Sequence, residues 1–572
     1  MRNPVIDSDF PDPEIIRVGE IYYMVSTTMY FMPGADILRS WDLAHWELAG
    51  HVFDSLEDNA AHNLEGGKHI YGQGMWAPSM SWHEGVFYLT FSYNDTRRSV
   101  LFTATDPAGP WTRQEMGGFF YDSSLFFDED GRVYIVHGQG TLRLTELDPA
   151  AWGPLPGGLD RVLVVDEPGV PLEYEGSHLY RREGRYYLFT CHMPLCESRL
   201  KTEACFVADS LEGKFVGRDI IDDDMRYCRH LGVAQGGMVD DPQGRWYLFM
   251  FQDRGALGRA PVMMPMILGP DGLPAIATPD GRVPTDFPGT GAAAPHALQM
   301  LNGSAFCLPG DDRLAPWWQF SHNPDPSAWK LEENRNALRL TARQTAGNLL
   351  QARNVLTQRC VGPACEAEVT IDASGMKDGD FAGLCAYMSH YAAIALHRRE
   401  GRLYLVTLKV RADNPSVWGD RDFFTRAPQV TEIMPVEEPI MTVRVRTDFS
   451  GMEDLCTLHY LRGGVWSQAG EGIPCISKWI CSPAAGSACS TMPHRKRAGR
   501  PCSAISGTWG WKSKSRQESG MGAAKSTGIG GMHNEGRYSW RGQHCLQDGE
   551  NAAGHAAAGQ AGGTVRRGFP QS

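Results

Sequence analysis

A short pattern recurs five times in the first half of this 572-residue chain and constrains its fold more than any other feature. A turn Gly is followed within three residues by an aromatic or aliphatic–Tyr pair: Gly19-Glu-Ile-Tyr22-Tyr23, Gly85-Val-Phe-Tyr88, Gly131-Arg-Val-Tyr134, Gly184-Arg-Tyr-Tyr187 and Gly244-Arg-Trp-Tyr247. By subtraction the glycines stand 66, 46, 53 and 60 residues apart, the size of a small sheet unit. The runs VFYLTFSY, RVYIVHG, RYYLFTCH and RWYLFMFQD have the length and the aromatic and β-branched content of buried strands rather than helices. Most copies end on a second signature, Asp42-Leu-Ala-His-Trp46, Asp106-Pro-Ala-Gly-Pro-Trp111, Asp148-Pro-Ala-Ala-Trp152 or Asp209-Ser-Leu-Glu-Gly-Lys-Phe215. There the Asp opens a turn and the aromatic packs back between sheets. Four-stranded sheets repeated radially hide their edges around a central channel, so the pattern predicts an all-β fold with a five-bladed β-propeller over residues 1–285. A β-helix would need repeats about half this length or less.

The repeat also singles out side chains. Nine residues before Gly85, Gly131, Gly184 and Gly244 stand Trp76, Asp122, Glu175 and Gln235, and seven before Gly19 stands Asp12. Side chains alternate faces along a strand, so seven and nine share a parity and all five residues are expected to face one way. The first strand of each blade lines the axis of a propeller, which would bring three carboxyls, an indole and an amide into one cavity. Converging carboxyls repel, and some then hold protons near neutral pH, so that a general acid and a general base coexist. Glycosidic bond cleavage needs that pairing: one carboxylic acid protonates the leaving oxygen while a carboxylate acts on water or on the sugar. Trp76 offers a flat apolar face for a sugar ring. The neighbouring Asp9 and Glu173 read as turn or hydrogen-bond acids, with Glu173 the one rival to Glu175.

Five strings carry a resemblance to a known family: Asp9-Phe-Pro-Asp12-Pro-Glu14-Ile15, Trp76-Ala-Pro-Ser79, Tyr121-Asp122-Ser-Ser-Leu-Phe126, Glu175-Gly-Ser-His178-Leu-Tyr180, and Gln235-Gly-Gly237 with Phe251-Gln-Asp253-Arg-Gly-Ala-Leu-Gly-Arg259. In this order they resemble glycoside hydrolase family 43. The resemblance implies an inverting mechanism with Asp12 as general base, Glu175 as general acid, and Asp122 tuning the pKa and orientation of the acid. It implies that Trp76 contacts the sugar and that Arg259 and Gln235 reach the same pocket. Thr28-Met-Tyr-Phe31-Met-Pro-Gly34 is similar to a pocket-forming loop, which adds Met29 and Phe31; Met29 stands where many xylosidases carry an aromatic, leaving the choice between xylose and arabinose open. No cofactor is required. Some relatives hold a channel calcium with a His near the fifth motif, where this chain has Ala234-Gln235, so calcium is allowed by the resemblance but unsupported by these residues.

Pro284, Pro288-Gly-Thr-Gly291, three alanines and Pro295 mark a linker, taken as 286–298. Beyond it ALRLTARQ, CEAEVTID, RLYLVTLKV and IMTVRVRTD alternate apolar and polar residues, predicting an antiparallel β-sandwich over 299–474. Trp317-Trp-Gln-Phe-Ser-His322-Asn-Pro324, Trp329 and Leu338-Arg-Leu340 resemble the sandwich appended to many family 43 xylosidases. From Cys475 the pattern stops. The last 98 residues hold 13 Lys or Arg against 4 Asp or Glu, a balance of +9, leaving −22 of the total −13 on the preceding 474. Residues 475–572 therefore read as a basic, Gly/Ala/Ser-rich disordered tail, out-of-frame translation that replaces the last strands and truncates the sandwich. A basic tail for an anionic partner is the other reading.

The net charge of −13 speaks against a nucleic-acid partner. No run approaches the roughly 18 to 20 apolar residues of a membrane span. The acidic, Pro-containing start lacks a secretory core, which gives a cytoplasmic expectation in which the 14 Cys remain thiols. Cys191/Cys196 and Cys360/Cys365 have no matching His spacing, so no metal site is assigned. The expected activity is removal of terminal β-D-xylosyl or α-L-arabinofuranosyl residues from short plant-derived oligosaccharides. Its rival is a non-catalytic or inactivated propeller that binds carbohydrate. Homo-oligomerisation stays open.

Overall fold

The computed structural model describes residues 2–475 except 196–200, 226–231, 291, 297, 299–300, 333–336, 389, 411–422 and 453, together with the backbone of 486–493 and 504–506. The first half forms five separate antiparallel sheets in succession. Their inner strands are Glu14–Val18, Met75–His83, Ser124–Phe127, Leu172–Arg182 and Val233–Asp240. Each of these touches the next, and the fifth touches the first. In every sheet the repeat Gly forms the hairpin to the second strand with φ between 62° and 84°, a left-handed turn that a Cβ would strain. The buried runs after it, such as Arg185–Met193 and Trp246–Asp253, form the second strands. The closing Asp residues act as the sequence suggests: Oδ1 of Asp42, Asp106 and Asp148 accepts the N–H of Ala44, Ala108 and Ala150 at 2.9, 2.8 and 2.9 Å, and Trp46, Trp152 and Phe215 are buried.

Residues 2–10 run beside the fifth sheet. Asn3 N–H donates to the Thr285 carbonyl (2.8 Å), Val5 N–H to that of Pro261 (2.9 Å) and Phe10 N–H to that of Arg259 (2.9 Å). The Asn3 side chain donates to the carbonyls of Met263 and Pro284 and accepts from Met263 N–H. The stretch expected as linker is held along the same region, with Phe287 in an apolar cluster shared with Ile6, Phe10 and Phe249, and His296 2.8 Å from Glu47.

In the second half a large and a smaller sheet enclose one core. Ala364–Asp372 alternates buried and half-buried positions, presenting Ala367, Val369 and Ile371 to Leu384, Ile394, Leu396 and Leu405 of the larger sheet. The larger sheet is covered on its other face too: Phe381, Cys385, Tyr387, Ala393 and Ala395 join a cluster with Tyr23, Val25, Met29, Phe31 and Phe91 of the first half. That is why every residue of Asp380–Tyr387 is buried. Phe31–Met32 is itself the edge strand of this sheet, paired with Gln319–Ser321.

Two short segments of the stretch expected as a tail are strands. Gly486–Pro493 fills the larger sheet between Leu356–Arg359 and Asp380–Tyr387, and Ala504–Ser506 pairs with Ala337–Leu340. Composition gave no sign of them, since a slot between two strands is satisfied by backbone N–H and C=O groups, which most residues supply whatever their hydropathy; Pro493, at the end of the first segment, offers a C=O alone. The rest of 475–572, where the out-of-frame reading also falls, lies outside the described residues. Among the described residues no helix is long and apolar enough to cross a membrane.

Candidate active site

The inner strands do not begin as regular strands. The backbone turns left-handed at Asp12, Ala77, Asp122, Gly176 and Gln235, with φ of 51°, 36°, 44°, 65° and 57°. Pairing shifts register between Trp76 and Ser79, Glu175 and His178, and Ala234 and Gly237. The simple parity expected from the spacing is therefore corrected: left-handed turns, with bulges in three of the five strands, aim these side chains. The carboxyls nevertheless converge, since Asp122 feels Glu175 and Asp12 directly. A non-Gly residue at positive φ is uncommon, and its occurrence at Asp12, Asp122 and Gln235, and one residue later at Ala77, marks a demand on side-chain direction at the mouths of these strands.

Asp12 is 7% exposed and forms an ion pair with Arg259, whose Nη1 donates to Oδ1 at 2.7 Å. Arg259 is fixed in turn: its backbone N–H donates to Asp9 Oδ1 at 2.7 Å, its Nε lies 3.4 Å from Asp253 Oδ1, and its guanidinium sits 4.8 Å from the Phe251 ring centre. Gly258 permits this approach, because a Cβ there would stand 2.1 Å from Asp9 Oδ1. Asp9 is thus the hydrogen-bond acid that the sequence suggests, and it is buried.

Glu175 has a different surrounding. Its Oε2 accepts from Tyr121 O–H (3.2 Å) and Gln139 Nε2 (3.1 Å), while the Lys201 ammonium lies 3.9 Å from Oε1. Burial raises the Glu175 pKa and the Asp12 charge adds to it, with Lys201 and Arg259 pulling the other way. Asp122 is pushed well above the usual carboxylate range by burial and then by the charges of Glu175 and Asp12; its buried Oδ1 has no hydrogen-bond partner among the described residues. Burial likewise raises Tyr121, which stays a phenol able to donate. One carboxylate is paired with a cation and two carboxyls are driven toward their protonated forms, a division that suits base and acid roles at once.

The other expected contacts are dispersed. Trp76 is half-buried with its ring 6.4 Å from that of Tyr121, against the apolar cluster that holds Met29 and Phe31. Met29 bonds Met75 through its backbone in both directions at 3.1 Å, and Phe31 lies in the shared sheet; both are buried in that cluster. Gln235 accepts from Lys201 Nζ at 3.0 Å and its N–H donates to Glu203 Oε2 at 2.6 Å, so its amide oxygen is committed within the protein. Glu173 packs beside Gly140. The place where calcium would be considered fits it poorly, since a lysine ammonium already occupies the amide oxygen of Gln235; no cluster of three or more His, Cys, Asp or Glu suited to a metal occurs among the described residues. Lys201, Glu203 and Gln139 were missed by sequence reasoning. They lie outside the repeated position and meet Gln235 or Glu175 from 32 to 36 residues away in sequence. Tyr121 and Asp253 stood inside the quoted strings without a role.

Residues 1–274 match the family model described as Glycosyl hydrolases family 43, and residues 310–472 match that of the Beta xylosidase C-terminal Concanavalin A-like domain. A xylosidase/arabinosidase 43B of Humicola insolens is 28% identical over 69% of this chain and 77% of its own length. A beta-xylosidase of Formosa agariphila is 24% identical over 67% of this chain and 72% of its own. A solved structure described as a bifunctional GH43-CE protein of Bacteroides eggerthii superposes with a TM-score of 0.78 at 32% identity, covering 89% of this chain and 63% of that one. Two matched domains in the order found here, around a carboxyl cluster with divided electrostatics, make this chain a member of glycoside hydrolase family 43, an enzyme that hydrolyses O-glycosyl bonds.

Proposed function

We propose that the enzyme removes terminal β-D-xylosyl or α-L-arabinofuranosyl residues from short plant-derived oligosaccharides by single displacement with inversion. In this reading the five small sheets are the blades of a five-bladed β-propeller and the carboxyl cluster lies at its axis. Asp12 activates the attacking water, Glu175 protonates the leaving oxygen, and Asp122 keeps the acid charged with its proton. The observation that carries the reading is the contrast between Asp12, ion-paired to Arg259 at 2.7 Å, and Glu175, buried with a raised pKa beside it. Trp76, at the edge of the cluster, supplies the stacking face for the sugar; Met29 and Phe31 shape the wall behind it. The names of the relatives support both sugars and do not rank them. A cytoplasmic site of action, with small imported substrates and neither nucleic acid nor membrane as partner, is part of the proposal.

The test is hydrolysis of 4-nitrophenyl β-D-xyloside and α-L-arabinofuranoside by the wild-type enzyme and by Asp12→Ala and Glu175→Ala, with the first-formed anomer read by proton NMR. Each variant is expected to lose at least about 10³-fold in kcat. Glu175→Ala should lose far less on a 2,4-dinitrophenyl glycoside, whose leaving group needs no proton. Undiminished turnover in either variant, or retention of anomeric configuration, overturns the assignment.

A further inference from the structure

Lys201 is a fully buried cation with no part in the family motifs, and its side chain is 1% exposed. An isolated ammonium is not buried without strong compensation. Its partners lie in the active site: Gln235 Oε1 at 3.0 Å, Glu175 Oε1 at 3.9 Å and the Phe251 face at 5.0 Å. Burial opposes its charge and so does Arg259, yet Cys191, then Glu175 and Asp253, hold its pKa above the ordinary lysine value. The two buried cations of the cluster are thus divided. Arg259 holds the base Asp12, and Lys201 stands on the acid side.

Gln235 links Lys201 to the inner strands. Its N–H is fixed on Glu203, its amide oxygen on Lys201, and its side chain packs against Gly176, where a Cβ would come within 2.7 Å of its Cγ. Gly176 directly follows Glu175. Lys201 therefore acts on the acid by two routes, through space on the carboxylate and through Gln235 on the bulge that aims it.

We propose that Lys201 is a positioning residue of the reaction, its buried ammonium anchoring Gln235 and setting the electrostatic field at Glu175. The inference rests on Glu175 being the general acid. An acid must carry its proton, so activity falls as pH rises through the pKa of Glu175, and Lys201 lowers that pKa by favouring the carboxylate. Removing the charge should move the alkaline limb of the kcat/KM profile upward.

The measurement is the pH dependence of kcat/KM on a 4-nitrophenyl glycoside for the wild-type enzyme, Lys201→Met, Lys201→Gln and Lys201→Arg. Lys201→Gln retains a donor for Gln235 and serves should Lys201→Met not fold. The neutral variants are expected to shift the alkaline limb upward by about one pH unit, a tenfold change in proton concentration, while Lys201→Arg keeps it near the wild-type position. A limb that stays within about 0.3 units in both neutral variants, even with lowered kcat, would reduce Lys201 to a packing residue and overturn the proposal. Glu175→Gln separates the two levels. If the wild-type limb survives in Glu175→Gln, the assignment of the acid fails and this inference falls with it; if it vanishes there but ignores Lys201, only this inference fails.

Discussion

Asp122 illustrates what the site demands of single residues. Its carboxyl is 4% exposed, flanked by two other carboxyls, and keeps one oxygen without a partner among the described residues. A carboxyl whose folded pKa is raised takes up more protons folded than unfolded. Its contribution to stability is therefore present below the unfolded value near 4 and is lost as pH rises through the folded one. At neutral pH Asp122 works against the fold. Asp122→Asn is expected to raise Tm at pH 7 by about 2 to 4 °C, an effect that shrinks toward pH 4, while kcat falls at least about 10²-fold. Calorimetry at both pH values with parallel kinetics checks this, and a lower Tm at pH 7 refutes it. The three carboxyls could be singled out in the sequence because each stands seven or nine residues before a turn Gly. Lys201 and Glu203 were not, because a residue that meets the site from a neighbouring part of the sheet leaves no local pattern.

At the level of elements, the strand segments of both halves were legible from alternation and aromatic content, as with Ala364–Asp372 and Trp246–Asp253. The left-handed turns at the mouths of the inner strands were not, since Asp12, Asp122 and Gln235 are residues that ordinary strand patterns also contain. Hairpin and site glycines separate cleanly by what surrounds them. Gly19 has φ 62° and open space around the position of a Cβ, whereas Gly258 has φ 102° and Asp9 Oδ1 at 2.1 Å. Gly19→Ala is expected to lose about 1 kcal/mol and leave kinetics unchanged. Gly258→Ala is expected to lose on the order of 2 to 4 kcal/mol and to lower kcat/KM beyond that, because Arg259 and Asp12 move with it. Urea unfolding beside steady-state kinetics distinguishes the two, and equal effects would remove Gly258 from the support of the site.

Across the whole molecule, the two halves share an ion pair as well as a core. Arg359 lies 2.6 Å from Asp36, a carboxylate 1% exposed that also meets His51 at 2.9 Å and Gln319 Nε2 at 3.0 Å. Burial acts to raise the Asp36 pKa, but Arg359 and His51 outweigh it and hold it below the usual range. Its contribution is thus present above the unfolded value and is lost as pH falls through the folded one. Arg359→Met leaves a buried charge without its partner and is expected to lower stability by about 3 to 5 kcal/mol, with acid unfolding beginning at higher pH than in the wild type. Circular dichroism against pH is the check, and coincident acid transitions refute it. The strands at 486–493 and 504–506 belong to this scale too, because only the completed sheet reveals the gaps they fill.

Residues 2–12 do two things with one stretch of chain: they lie along the fifth sheet, and they carry Asp12 to Arg259. More than backbone bonds hold them there: Ile6 and Phe10 are buried in the core, Ser8 Oγ donates to the Cys360 carbonyl, and Arg359 Nε donates to that of Asp9. The stretch that carries the base thus also fastens the first half to the second, and a change that loosens it acts on catalysis and on the joint between the halves together.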